Sequence, residues 1–305
     1  MLPTQKLTLN KGDLLAIVSP SGAMDAEYIL DAKKNFEQWG FNVVIGENAL
    51  AQHGRFAGTD NKRLHDLQWA LDDDKIKAIV CSRGGYGAVQ LLEKISMEGF
   101  LKSPKWIVGF SDITFLHSLI LKNGIPSLHA PMCRQIAETG KDKSSVYLKK
   151  ILLGKPLKYE MKTHKMSREG QARGSLMGGN LSVLIALRGT KYDSLKNDTE
   201  GGKIILFIED VAEKIYHIER MLYNLKLGGV LSQLAGLIVG QFLDCEEDIL
   251  MPKDIKNTIL NMVEEYNYPV CFDFPAGHGL KNYPLILGAD IYIDIKKDIT
   301  TLQQY

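Results

Sequence analysis

The sequence predicts an α/β fold, with a mostly parallel sheet in its N-terminal half and a remainder richer in strands. In the first half, short β-branched runs alternate with longer amphipathic segments, the pattern of βα units that feed a parallel sheet. Beyond Leu227, short strands follow one another between glycine turns, as at Leu237 to Gln241 and Ile291 to Ile295. With 305 residues, the chain is long enough for two domains at roughly 150 residues each.

The first expected strand, Leu14 to Ser19, ends at the turn Pro20-Ser21-Gly22. Ala26 to Trp39 then carries apolar residues at helical spacing until Gly40 stops it. A strand at Asn42 to Ile45 and a helix around Asn61 to Leu71 come next, followed by a buried strand at Ile76 to Cys81 and a helix at Ala88 to Ile95. Trp106 to Val108 repeats the unit, with Ile113 to Lys122 as its helix. From about Glu138 to Gly174 the composition turns polar and lysine-rich with no strong period, which marks an interdomain connection at 141–170 between domains at 1–140 and 171–305. After it come the turn Gly178-Gly179-Asn180 with an apolar helix, a strand at Lys203 to Ile208 and a helix at Val211 to Leu227.

Composition narrows the function classes. Hydrophobic residues at 45% and charged residues at 24% exclude a mostly disordered chain. A net charge of +1 provides no global field for nucleic acid or an anionic membrane, so neither is expected as a partner. Met1 to Asp13 lacks the apolar core of a secretory signal and no later stretch is apolar for long enough to span a bilayer, so a cytoplasmic location is expected. Cys81, Cys133, Cys245 and Cys271 lie far apart, without zinc-site spacing or disulfide-scaffold density, and read as reduced and structural. No metal and no cofactor is expected.

The most informative stretch is Gly109-Phe110-Ser111-Asp112, where a strand runs through Gly-x-Ser into a helix. A serine on such a turn exposes its hydroxyl, and N–H groups near the helix start can stabilise an oxyanion. Ile113 stands where the α/β-hydrolase elbow has a second small residue, and a plain helix cap by Ser111 or Asp112 fits the same residues. A second strand-to-helix turn, Ser82-Arg83-Gly84-Gly85-Tyr86-Gly87, suits an anion or is simply tight; it matches neither the dinucleotide nor the Walker spacing.

Glu209 ends a buried strand, a position suited to an active site in an open α/β layer. Asp210 and Glu213 have the spacing of a capping box for the following helix, which sets Asp210 aside as catalytic. Among seven histidines, His53, His65, His164 and His217 read as surface residues and His117 falls within the helix after Ser111. His278, flanked by Gly277 and Gly279, and His129 are the two candidates for a general base, and spacing alone does not separate them.

These segments, in order, resemble the LD-carboxypeptidase family of serine peptidases, which includes the microcin C self-immunity proteins. The resemblance spans nearly the whole chain. It rests on Ala16 to Gly22, Ser82 to Gly87, Gly109 to Asp112, Gly178-Gly179-Asn180-Leu181, Glu209-Asp210 and Gly277-His278-Gly279. It implies Ser111, Glu209 and His278 as a catalytic triad and the backbone amides of Gly85 and Asp112 as oxyanion donors, with no glycine required at Ile113. It also implies an N-terminal α/β domain with flavodoxin- or Rossmann-like layers that carries the serine, a smaller C-terminal domain that carries Glu and His, and a homodimer.

The resemblance further implies a murein tetrapeptide as substrate, cut before its terminal D-alanine in cell-wall recycling. The alternative within the family is hydrolysis of a microcin C-type toxin, weakened by the absence of tryptophan beyond Trp106. A different class, an inert protein binding a small anion at the Arg83 turn, is a further alternative. For a carboxypeptidase, Arg83 is a candidate partner for the substrate carboxylate, against an equally good reading as a structural ion pair. Glu213 is a candidate for binding a substrate cation, against its capping role.

Overall fold

The computed structural model describes residues 7–196, 203–245, 248 and 250–304. The chain divides into two compact units, Met1–Pro156 with Tyr283–Ile286, and Leu157–Asn282 with Leu287–Tyr305.

The first unit contains β1 (Leu14–Val18), α1 (Ala26–Gln38), β2 (Asn42–Ile45), α2 (Asp60–Asp72), β3 (Ile76–Cys81), α3 (Glu98–Lys102), β4 (Trp106–Gly109), α4 (Thr114–Lys122), β5 (Ser127–His129), α5 (Cys133–Thr139) and α6 (Lys143–Leu152). The second unit follows with β6 (Leu157–Lys162), β7 (Gly170–Asn180), α7 (Leu181–Leu187), β8 (Ile204–Val211), α8 (Ile215–Leu227), β9 (Leu234–Leu243), α9 (Ile255–Met262) and β10 (Val270–Cys271). The last strands are β11 (Leu285–Leu287), which joins the first sheet, and β12 (Asp290–Ile295) and β13 (Ile299–Gln304), which complete the second.

The first sheet has the order β11-β5-β4-β3-β1-β2, and the pairs from β5 to β2 are all parallel. Its inner strands are apolar almost throughout because both faces are covered. Ile29, Ala32 and Phe36, spaced three and four apart, form the buried face of α1. Each large side chain of that kind contributes about 1.5–3 kcal/mol when removed from water. The second sheet has the order β10-β9-β8-β7-β12-β13-β6, parallel from β10 to β7 and antiparallel from β7 to β6.

Several local expectations differ from the structure. Ala88 to Ile95 is no helix but a short 3₁₀ turn at Ala88–Gln90 with further turns after it. The Gly87 carbonyl, which would open a helix, is shared between Gln90 N–H and the buried Arg63 guanidinium. Gly178 and Gly179 are not a turn but the end of β7, where a Cβ on Gly178 would lie 2.8 Å from the Phe207 carbonyl carbon of β8. The polar stretch before Gly174 holds α6, capped by Asp142 through the Ser144 and Ser145 amides, and strand β6.

Candidate active site

In the first unit, turns after three adjacent parallel strands, β1, β3 and β4, converge at their C-terminal ends, where α/β sheets place their sites. Ser111, directly after Phe110, has φ 63°, a left-handed conformation that costs a non-glycine residue roughly 1–2 kcal/mol. That value is the mark of a strained elbow rather than a plain helix entry. Neither Ser111 nor Asp112 caps α4, whose N-cap is Ile113 without a side-chain bond. The buried carboxylate of Asp112 instead accepts from Ser21 Oγ (2.6 Å) after β1 and from Ala88 N (2.9 Å) after β3. Burial pushes the Asp112 carboxyl upward, and these two hydrogen bonds pull it partly back.

Gly84 sits directly against the elbow. A Cβ there would lie 2.8 Å from Ser111 Cβ, 3.0 Å from its Oγ and 3.3 Å from Asp112 N, so only glycine fits. Its carbonyl accepts from Gly22 N (3.0 Å), and Gly85 follows at φ 101°. Gly84 and Ser21 thus join the residues singled out from sequence; the Gly-Gly pair and the Pro-Ser-Gly turn were their only signal. Arg83 is exposed, donates from Nη1 to the Ala23 carbonyl (2.8 Å) and makes no ion pair among the described residues.

Two of the histidines are internal to this unit. His117 is buried, with Nε2–H donating to the Gly109 carbonyl (2.9 Å) and Nδ1 accepting from Ser127 Oγ (2.7 Å). Burial lowers its pKa to about 4, so it stays neutral and braces β4. His129 lies wholly buried in β5 with its ring 5.7 Å from that of Phe110.

In the second unit, β8 carries Glu209 and Asp210 into the interior. His278 Nδ1–H donates to Glu209 Oε2 at 2.7 Å, with Glu209 0% exposed and the imidazole 19% exposed. This fixes the tautomer and leaves Nε2 as the atom that can exchange a proton. Burial works against a charged imidazole, but the Glu209 hydrogen bond and the charges of Glu209 and Asp210 outweigh it, and the pKa of His278 is raised. Gly277, at φ 124°, lets the loop pass: a Cβ there would lie 2.9 Å from Glu209 Oε2.

Asp210 is not the start of a capping box, because β8 continues to Val211 and α8 begins at Ile215 with Lys214 as N-cap. Its carboxylate accepts from Asn180 Nδ2, Ser182 N and Val211 N, each at 2.9 Å, which ties β8 to the start of α7. Burial, with the neighbouring Glu209 charge, raises its pKa to about 6 despite these bonds. Glu213 lies beyond the strand and contacts His217 Nδ1 at 3.2 Å. Among the described residues no cluster suits a metal ion, and no helix is long and apolar enough to cross a membrane.

Two family models match the chain: the LD-carboxypeptidase N-terminal domain over residues 15–130 and the LD-carboxypeptidase C-terminal domain over residues 173–293. A relative from Synechocystis, provisionally named a carboxypeptidase, is 36% identical over 95% of this chain and 94% of its own. The chain belongs to the LD-carboxypeptidase family. It is therefore a serine-type carboxypeptidase, a hydrolase of peptide bonds, and the reading as an inert anion binder falls away. The murein tetrapeptide carboxypeptidase of Pseudomonas aeruginosa is a further LD-carboxypeptidase relative, 29% identical over 88% of this chain and 89% of its own. Among solved structures, the muramoyltetrapeptide carboxypeptidase of Oxalobacter formigenes has a TM-score of 0.85 and 26% identity, covering 95% of this chain and 98% of that one. A microcin C7 self-immunity protein shares the fold, with a TM-score of 0.84 and 21% identity over 98% of each chain.

Proposed function

We propose that this LD-carboxypeptidase releases the terminal D-alanine from murein tetrapeptides, with Ser111 as nucleophile, His278 as general base and Glu209 orienting the imidazole. The observation that carries the proposal is the Glu209–His278 pair: a fully buried carboxylate holds Nδ1 of a part-exposed imidazole, the orientation a general base requires. The murein relatives support the choice of substrate.

In the proposed reaction, Ser111 Oγ attacks the carbonyl carbon before the terminal residue while its proton passes to His278 Nε2. The oxyanion takes hydrogen bonds from the Gly85 and Asp112 amides. Collapse of the tetrahedral intermediate breaks the C–N bond, and His278 returns the proton to the leaving amine. Water, deprotonated by His278, then hydrolyses the acyl-Ser111 ester. Arg83, exposed and without an ion pair among the described residues, is proposed to hold the substrate carboxylate. Glu213, in contact with His217, is proposed for a substrate cation. The enzyme is placed in the cytoplasm as a homodimer, in keeping with murein peptide recycling.

The test is incubation of the purified chain with a murein tetrapeptide and, separately, with a microcin C-type aminoacyl nucleotide. Release of D-alanine from the first alone is expected, at a rate that amidation of the peptide's C-terminus reduces. Cleavage of the aminoacyl nucleotide alone replaces the murein reading with the self-immunity one.

A further inference from the structure

Between the pairs Ile208↔Val239 and Asp210↔Phe242, β8 has Glu209 alone where β9 has both Gly240 and Gln241. This β-bulge lies beside the candidate triad, where an extra residue can re-aim a side chain. Its two residues are both committed to the His278 loop. Gln241 N–H donates to the Ala276 carbonyl at 3.1 Å, and Gln241 Oε1 accepts from Gly279 N at 3.0 Å. A Cβ on Gly240 would meet the Ala276 carbonyl oxygen at 2.6 Å and Glu209 Cβ at 3.1 Å. One residue, Gln241, therefore grips the chain on both sides of His278.

The glycines around the histidine have a physical reason in this arrangement. Gly277 makes way for the Glu209 carboxylate. Gly279 makes way for Gln241, since a Cβ on Gly279 would come within 2.6 Å of Gln241 Cδ. On the far side of the loop, Asn282 Oδ1 accepts from Gly277 N at 3.0 Å.

We propose that Gln241 is a positioning residue for the reaction: its bulged backbone and its side-chain carbonyl clamp residues 276–279 so that His278 stays seated on Glu209. The inference rests on the reading of His278 as general base. Loosening the clamp lets the imidazole turn away from Glu209 without removing any group that touches substrate.

The test uses the full chain and two independent readouts. The first is the titration of the His278 ring followed by NMR, on which Glu209 and Asp210 act as the charged neighbours. In Gln241→Ala, the midpoint falls by about half a pH unit as the pair with Glu209 loosens. The second readout is kinetic: kcat for D-alanine release falls roughly 10-fold to 100-fold in that variant, with KM held within about twofold.

Gln241→Glu keeps an acceptor for the Gly279 amide at the same reach. It retains kcat within about threefold above the titration midpoint, and its added charge moves that midpoint upward. An unchanged His278 titration in Gln241→Ala overturns the clamp, as does a kcat loss that Gln241→Glu shares in full. Should Gln241→Ala not fold, Gly279→Ala, which pushes a methyl group into the Gln241 amide, is held to the same two readouts. The two readings fail separately: a wild-type chain that releases no D-alanine sinks the proposed function, whereas the NMR titration still decides the clamp.

Discussion

Gly84 follows β3 and Ser111 follows β4, yet a Cβ on the glycine would lie 2.8 Å from the serine Cβ and 3.0 Å from its Oγ. The backbone of one turn thus forms a wall against the candidate nucleophile on the other. Gly84→Ala is expected to lower kcat by roughly 100-fold or more, as a displacement of about 1 Å at a reacting atom does. Circular dichroism and thermal melting should show a folded protein. A folded Gly84→Ala with wild-type kcat would contradict the close approach.

The left-handed backbone at Ser111 predicts a separation of stability from activity. Ser111→Gly relieves the strain and Ser111→Ala does not. The glycine variant should be more stable than the alanine variant by roughly 0.5–1 kcal/mol, after allowance for glycine's larger chain entropy. Urea unfolding of the pair measures this. An alanine variant as stable as the glycine one would mean that the turn carries no strain.

The raised pKa of His278 sets the acid side of the activity profile. As pH falls through that pKa, Nε2 takes up a proton and can no longer accept one from Ser111, so kcat/KM is lost. The acid limb should therefore lie above the ordinary imidazole value of about 6.5. Glu209→Gln should move the limb downward and lower kcat roughly 10²-fold to 10⁴-fold, because the retained amide no longer stabilises an imidazolium. A limb that stays in place in that variant would detach Glu209 from His278 in function.

Asp210 carries a pH signature of its own. Its folded pKa of about 6 exceeds the ordinary aspartate value of 3.8, so between these values the folded chain binds more protons than the unfolded one. Stability from this group falls as pH rises across that window, with a slope of at most about 1.4 kcal/mol per pH unit. Asp210→Asn should remove that component of the slope in urea unfolding measured from pH 4 to 7. An identical slope in the variant would show that Asp210 titrates normally.

β3 runs as expected because a strand covered on both faces is a nearly continuous apolar run, here Ile76 to Cys81 with Lys77 alone exposed. β6 was hidden: Leu157 and Tyr159 point inward, but Lys158 and Glu160 between them gave the stretch a polar, loop-like look. The helix expected at Ala88 stops after one 3₁₀ turn, where a distant side chain, Arg63, shares the Gly87 carbonyl with Gln90 N–H, a partner that no local pattern reveals. The capping box at Asp210 had the right spacing but the wrong partners, since the carboxylate is held by Asn180 and Ser182 from another strand and helix.

At the candidate site, the Gly-x-Ser elbow announced itself locally, whereas Glu209 and His278 are 69 residues apart and meet only through the sheet. Spacing left His278 and His129 level. Burial separates them, because His129 is sealed inside β5 and His278 keeps part of its ring exposed. Gln241 gave one faint signal, the glycine before it in a strand, which is the usual mark of a bulge or a close backbone approach.

In the proposed mechanism the Ser111 hydroxyl is made nucleophilic by His278. Labelling with a fluorophosphonate, followed by peptide mapping, measures this on the intact chain. A single adduct on Ser111 is expected, absent in Ser111→Ala and formed at least about 100-fold more slowly in His278→Ala. An adduct on another residue, or labelling of Ser111 at an unchanged rate without His278, would contradict it.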